Sequence, residues 1–428
     1  MNKELYYNLR ASLGKQKQNI YLNAIYPLIL KRRAKAIGKK DKIEVVFFAM
    51  NIATWRYQGV YDLLSKDERF NCHVVFTVAQ TYTKEQQSAD LEQMRAYFDS
   101  KKIKYVDHDV KNILGYDVKS KINPDILFFP QPYDDIFLSN HDYKKFTTKL
   151  ICYIPYSINV VKEADWLYDL DFHNIAWKIY RPFKHEKKLA EKYSRNKGRN
   201  NVASGYLNID RYLSDQVVDV WKIKDRNIKR LIWAPHFTII SADSWLKGRS
   251  NFMWMAQLML DMAIRYKDKL QIAFKPHPRL KSELYQHSEW GKEKTDKYYN
   301  NWCTMENTQL ETGDFIDLFK TSDAMIHDSG SFTAEYLFVN KPVAFVTGDF
   351  EKLLEEHSDF GKEALKNHYI LGREDEVYSF IDTIVLDEKD TMLYQRTDFF
   401  EKVLKPNVIG TTSQFIVDDI KTSLGLEK

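Results

Sequence analysis

The stretch 322–349, SDAMIHDSGSFTAEYLFVNKPVAFVTGD, constrains the fold most, because it sets a strand, a polar glycine turn, a helix and a second strand in succession. Ala324, Met325 and Ile326 form a short apolar run that gives way to His327, Asp328, Ser329, Gly330 and Ser331. The pattern predicts a helix over 332–339, stopped by Asn340, Lys341 and Pro342, and a second strand over 343–346. Such a turn ends a buried strand and points free helix N–H groups outward, the arrangement that holds phosphate. With Ser331 as N-cap, the N3 residue is Ala334, so Glu335 lies outside a capping box and needs another partner, for which a ribose hydroxyl would serve. An ordinary βαβ unit with a small polar turn is the competing reading.

With 428 residues the chain exceeds what one hydrophobic core supports, and two domains are expected. Strands predicted over 42–50, 72–78, 104–106, 125–129 and 150–154 are separated by helical stretches. They imply a parallel sheet covered on both faces, with ligands bound outside the carboxyl ends of the strands. The turns 51–57, 130–135 and 155–159 are therefore candidates for one wall of a site. Residues 169–188 read as a long amphipathic helix or pair. A second α/β set begins near 207–214, with strands over 230–233 and 270–274, a helix over 252–266 and closing helices over 375–385 and 409–424. The fold class expected is α/β, with two Rossmann-type domains facing a central cleft in the two-lobed GT-B shape, and extra N-terminal helices.

The net charge, 64 − 59 = +5, is mild, but its distribution is uneven. Before residue 41 the basic residues are Lys3, Arg10, Lys15, Lys17, Lys31, Arg32, Arg33, Lys35, Lys39 and Lys40, against Glu4 alone. The apolar residues between Ile20 and Leu30 fall well short of the roughly 20 that span a bilayer, and no signal-peptide cleavage site follows them. The segment suits either an anionic membrane surface, on the inner face of the plasma membrane, or packing on the first domain. No motif for nucleic acid accompanies the charge. Cys72, Cys152 and Cys303 are far apart and lack any C-x-x-C, which fits a reducing cytoplasm and argues against zinc or a disulfide frame.

Three strand ends of the second domain carry polar groups: His236 and Thr238, then Lys275, His277 and Arg279, then Asp328 to Ser331. On neighbouring strands they would form an anion site, with Lys275 and Arg279 making charge-assisted bonds and Gly330 and Ser331 offering backbone N–H groups. His277, held between Pro276 and Pro278, would place a ring N–H on a departing phosphate; the alternative is a structural histidine. Asp169 and Asp171 spell D-x-D but read as a solvated helix start, and Asp134 with Asp135 is a loop carboxylate pair. No G-x-G-x-x-G, P-loop, G-x-S-x-G or H-E-x-x-H occurs.

WAPHFT at 233–238, FKPHP at 274–278, HDSGS at 327–331, NKPVAF at 340–345 and GTTSQFIVDDI at 410–420 together resemble the CDP-glycerol glycerophosphotransferase family, the polymerases and primases of teichoic acids and capsule polymers. The resemblance implies a GT-B transferase that moves glycerol phosphate, or a related polyol phosphate, from a CDP-alcohol to a hydroxyl of a lipid-linked glycan and releases CMP, with no cofactor or metal required. His277 would bind the donor phosphates and steady the leaving CMP; Asp328, Ser329 and Ser331 would hold the nucleotide, with His236, Thr238, Lys275, Arg279, Gly330 and Glu335 beside them. Where that family has W-H-G-T-P-L-K, this chain has Tyr153 to Ser157, so Tyr156 stands in place of the histidine proposed as base. Asn51, Trp55, Arg56 and Asp134 would face the acceptor. The domains expected are a basic helical segment at 1–40, an acceptor-side domain at 41–207 and a donor domain at 208–428. D-S-G-S-x-x-x-E is also similar to the D-S-G-G-x-x-E-E turn of UDP-N-acetylglucosamine 2-epimerases, and K-P-H-P to capsule glycosyltransferases. A nucleotide-sugar enzyme and a non-catalytic nucleotide-binding subunit are the alternatives.

Overall fold

The computed structural model describes residues 14, 16–108, 114–162, 166–239, 250–405 and 410–426. Lys3, Arg10 and Lys15 of the basic segment lie outside them. The chain forms two compact units: Met1–Tyr156, Ala164–Asp210 and Pro406–Lys428 make the first, and Ser157–Glu163 and Arg211–Lys405 the second.

The first unit is built on a parallel sheet of seven strands, β1 (Ile43–Ala49), β2 (Phe70–Phe76), β3 (Tyr105–Val106), β4 (Ile126–Phe129), β5 (Leu150–Tyr153), β6 (Lys178–Arg181) and β7 (Asn201–Ala203), in the order β3-β2-β1-β4-β5-β6-β7. The runs IEVVFFA, ILFF and LICY form central strands because helices cover both faces and leave no side for polar residues. Phe47 stacks on Phe128 with centroids 4.5 Å apart. The order reverses between β1 and β4, so the turns after these strands diverge and leave a crevice at the carboxyl edge.

The second unit repeats the plan with β8 (Lys229–Ala234), β9 (Leu270–Phe274), β10 (Thr308–Leu310), β11 (Ala324–His327), β12 (Val343–Val346) and β13 (Tyr369–Leu371), all parallel, in the order β10-β9-β8-β11-β12-β13. Its core joins Trp233, Phe274 and Trp302 to Met255, Met259 and Met262 of the helix Phe252–Arg265. Here the reversal falls between β8 and β11.

Two expectations change. Residues 169–188 are not one long helix or pair: Asp171–Ile175 and Lys184–Tyr193 are helical, and β6 lies between them. The polar residues that hid β6 find partners within the unit: Arg181 Nε donates to Asn201 Oδ1 at 2.7 Å and Lys178 bonds Asp419 at 2.5 Å. The closing helix Thr412–Leu424, counted with the second domain from its position in the chain, packs in the first unit. Asp210 accepts from the N–H groups of Thr412 and Ser413 at 2.7 and 2.8 Å, Lys421 pairs with Asp67 at 2.8 Å, and Gly59 lets Ser413 approach where any Cβ would collide.

Candidate functional site

In the second unit β9, β8 and β11 are adjacent and parallel, so the three polar turns predicted to form an anion site meet at one sheet edge. Asp328 ties them together. Its Oδ1 accepts from His236 N–H at 2.6 Å, and its Oδ2 accepts from the N–H of Asn251. Burial pushes its carboxyl up to about 6 even though these donors favour the charged form. Both oxygens are thus engaged by protein, and Asp328 acts as a brace for the turns. Asn251 was missed in the sequence; Ser250-Asn251 before the apolar helix 252–265 was the N-cap signal that pointed to it.

His277 lies on the turn after β9, against the β8 turn. Its ring lies 5.2 Å from His236 and 4.4 Å from Phe237, and Arg279 stacks over Phe237 at 4.2 Å. Arg279 N–H donates to Nδ1 at 3.1 Å, which assigns the ring proton to Nε2. Burial, with His236, Arg279 and Lys275 adding like charge, pulls the imidazole down to about 3. His277 is therefore a neutral Nε2–H donor, suited to a phosphate oxygen. His236 Nδ1 lies 2.9 Å from Thr238 Oγ1, which fixes that ring too.

Lys275 is turned elsewhere. Its ammonium donates to Gly313 O at 3.0 Å, and burial draws it down to about 8 against the opposing pull of Glu311, Asp314 and Glu335. Among the described residues, the one bond its ammonium makes holds it to the Gly313 carbonyl, with those carboxylates nearby. Glu335 is buried beside it. Ser329 and Ser331 place hydroxyls 3.4 Å apart at the turn. Ser331 itself has helical angles and makes no side-chain cap, and the helix after it is α only over Phe332–Glu335 before tightening to 3-10 over Tyr336–Val339. Gly330 does not have a left-handed backbone, and an added Cβ would meet only Val160 Cγ2 at 3.9 Å. The fold does not demand glycine there; close approach of a ligand to the backbone would.

In the first unit the turns after β1, β4 and β5 also meet. Arg56 Nε donates to Tyr156 O at 3.1 Å, and the phenols of Tyr156 and Tyr133 lie near each other. Tyr133 was not among the expected residues. Burial, with Tyr133 adding to it, pushes the Tyr156 phenol above its ordinary range. Asn51 accepts from Thr54 N–H at 2.9 Å as the cap of a 3-10 turn. Asp134 accepts from Tyr143 and lies 3.5 Å from Lys144. Trp55 does not reach the surface: it is 6% exposed, packed against Phe98 at 4.8 Å and Tyr57 at 5.4 Å. Trp55→Ala is expected to cost about 3–5 kcal/mol in chemical denaturation, as a core cavity does. The D-x-D pair is clamped by Arg195, at 3.0 Å from Asp169 and 2.7 Å from Asp171. Among the described residues no cluster of His, Cys, Asp and Glu is placed to hold a metal ion.

Two all-parallel α/β units, each with polar turns at a topological switch point, define the fold class shared by GT-B enzymes and the nucleotide-sugar epimerases. Among solved structures the chain is similar to a variant of the wall teichoic acid polymerase TagF, with TM-score 0.59, 12% identity and 98% of each chain covered. It is also similar to the UDP-GlcNAc 2-epimerase from Neisseria meningitidis bound to UDP-GlcNAc, with TM-score 0.52, 14% identity and 89% of this chain and 100% of that one covered. The epimerase from Methanocaldococcus jannaschii in complex with UDP-GlcNAc and UDP matches with TM-score 0.53, 13% identity and 89% and 99% coverage. At these identities the likeness concerns the fold. No family model and no curated protein matches the sequence.

Proposed function

We propose that the chain is a transferase that binds a CDP-alcohol at the carboxyl edge of the second unit and passes its polyol phosphate to a hydroxyl of a glycan acceptor. The observation that carries this reading is His277, whose Nδ1 accepts from Arg279 N–H and so leaves the ring proton on Nε2, on a turn next to that of His236, with the Asp328–Ser331 turn on the far side of β8. In the reaction the acceptor oxygen attacks the phosphorus that bears the alcohol, the bond from that phosphorus to the bridging oxygen breaks, and CMP leaves with the electron pair. The hydroxyl proton passes to solvent or to a phosphate oxygen. Phosphoryl transfer depends chiefly on alignment and charge stabilisation, so the lack of a histidine near Tyr156 is compatible with it. The TagF structures, one of them soaked with CDPG, support the same reading.

Gly330→Ala tests the placement of the donor. The variant is expected to melt within about 2 °C of the parent, since the added methyl meets nothing closer than ordinary contact, while CDP-glycerol stabilises it far less than it stabilises the parent. Equal stabilisation by CDP-glycerol would remove the donor from this turn. Tyr156→Phe is expected to lower turnover less than about tenfold and to leave the pH–rate profile in place, because a phenol that stays protonated does not serve as base.

A second reading, a nucleotide-sugar enzyme, is favoured by the D-S-G-S-x-x-x-E turn and by the epimerase folds. Product analysis separates the two: CMP marks phosphotransfer, a nucleoside diphosphate marks glycosyl transfer, and an interconverted sugar marks epimerisation.

A further inference from the structure

The helix 16–37 of the first unit carries two apolar faces. Leu22, Tyr26, Leu30, Ala34 and Ile37 are buried in the unit. The helix is fastened there by Tyr26 OH, which donates to Ile175 O at 2.9 Å, and by Arg33, which donates to Thr147 O and Lys149 O at 3.1 and 3.2 Å. The opposite face should then be polar. Instead Ile20, Tyr21, Ile25, Leu28 and Ile29 are exposed along its first half, Ile20 and Leu28 at 59%. This is a concentrated apolar patch on a rigid element, where scattered single residues would need no explanation.

Its second half continues the same outward stripe with charge. Lys31, Arg32 and Lys35 are exposed and, with Lys17, make no ion pair among the described residues, and no Asp or Glu occurs between 16 and 40. A groove of about 420 Å³ runs along the helix, and Lys31 and Lys35 line it together with Leu22, Leu30 and Trp177. A surface with this order, exposed apolar side chains followed by unpaired cations, is complementary to an amphiphile with a negative head. Among the described residues no helix is long and apolar enough to cross a membrane.

We propose that this helix docks the protein on an anionic phospholipid surface, with Ile25, Leu28 and Ile29 entering the acyl boundary and Lys31, Arg32 and Lys35 meeting the phosphates. The docking does not depend on the donor chemistry proposed above. Apolar burial and attraction to anionic headgroups act together in such helices, and attraction contributes about fivefold per cation near the surface.

Co-sedimentation of the full chain with vesicles of phosphatidylglycerol mixed with phosphatidylcholine, against pure phosphatidylcholine, tests this. The parent is expected to sediment with the anionic vesicles and to be released from them by salt. Leu28→Asp is expected to weaken binding by at least about tenfold, and the double change Lys31→Gln and Lys35→Gln by about 25-fold. Both variants should keep the parent's circular dichroism and melting temperature, because all three side chains are exposed. Equal binding of parent and variants, or no binding to anionic vesicles, would overturn the proposal. So would a concentration-dependent dimer, seen by analytical ultracentrifugation without lipid and dissolved by Leu28→Asp, since a second copy of the chain would then cover the patch.

Discussion

Replacing His277 by alanine is expected to lower CMP release from CDP-glycerol by about 100- to 1000-fold in kcat/KM, the loss seen when one preorganised donor to a developing oxyanion is removed. The effect follows from the tautomer. Because Nδ1 accepts from Arg279 N–H, the single ring proton sits on Nε2. Burial and the cations around the ring keep it neutral down to about pH 3, so it enters the reaction as a hydrogen-bond donor whose charge does not vary near neutrality. The residual rate of the variant should accordingly show no new titration between about pH 5 and 8. His277 is half-buried and packs on Phe237, so the variant is expected to fold. Unaltered turnover in a folded variant would take His277 out of the site.

Asp328→Ala should act on stability first. The change leaves the N–H groups of His236 and Asn251 without their acceptor in a buried place, and each such group costs about 1–3 kcal/mol. A loss of about 3 kcal/mol is expected, which for a domain of this size lowers the melting temperature by roughly 6–12 °C. The pH dependence carries a sign that can be checked. The folded carboxyl titrates near 6, above its unfolded value of 3.8, so the folded state binds the proton more tightly. The stabilisation linked to that proton is fully present below about pH 3.8 and is lost as pH rises through about 6. The margin by which the parent exceeds Asp328→Ala in calorimetry should therefore be larger at pH 4 than at pH 7. A margin that grows with pH would mean that Asp328 is held ionised by its donors, and that their hydrogen bonds outweigh its burial.

Much of the architecture was legible because parallel strands announce themselves. Leu270–Phe274 and Val343–Val346 fall where the apolar runs placed them, and the turns chosen from strand ends follow adjacent strands in each sheet, at or next to its switch point. β6 was missed because its sequence, KIYR, is half polar, and only the fold reveals that Asp419 and Asn201 bond those side chains. The place of the closing helix was unreadable for a related reason. Its partners Asp67 and Asp210 are distant in sequence, and nothing in the local pattern names them.

The candidate turns were readable by position more than by role. His277, His236 and Asp328–Ser331 lie at strand ends, as their sequence context implied, and what each could do depends on which neighbours consume its polar atoms. Asp328 is spent on backbone N–H groups, and Lys275 bonds Gly313 O. Trp55 was expected to face the acceptor because it follows a strand in a polar turn, but the chain folds back and buries it against Phe98.

The central claim is that the edge formed by β8, β9 and β11 holds a cytidine diphosphate donor for phosphotransfer. The most direct measurement is the nucleotide released when the chain is incubated with a glycan acceptor and either CDP-glycerol or UDP-GlcNAc. CMP from CDP-glycerol, dependent on acceptor and abolished in His277→Ala, is the predicted result. Conversion of UDP-GlcNAc, with CDP-glycerol left intact, would contradict it.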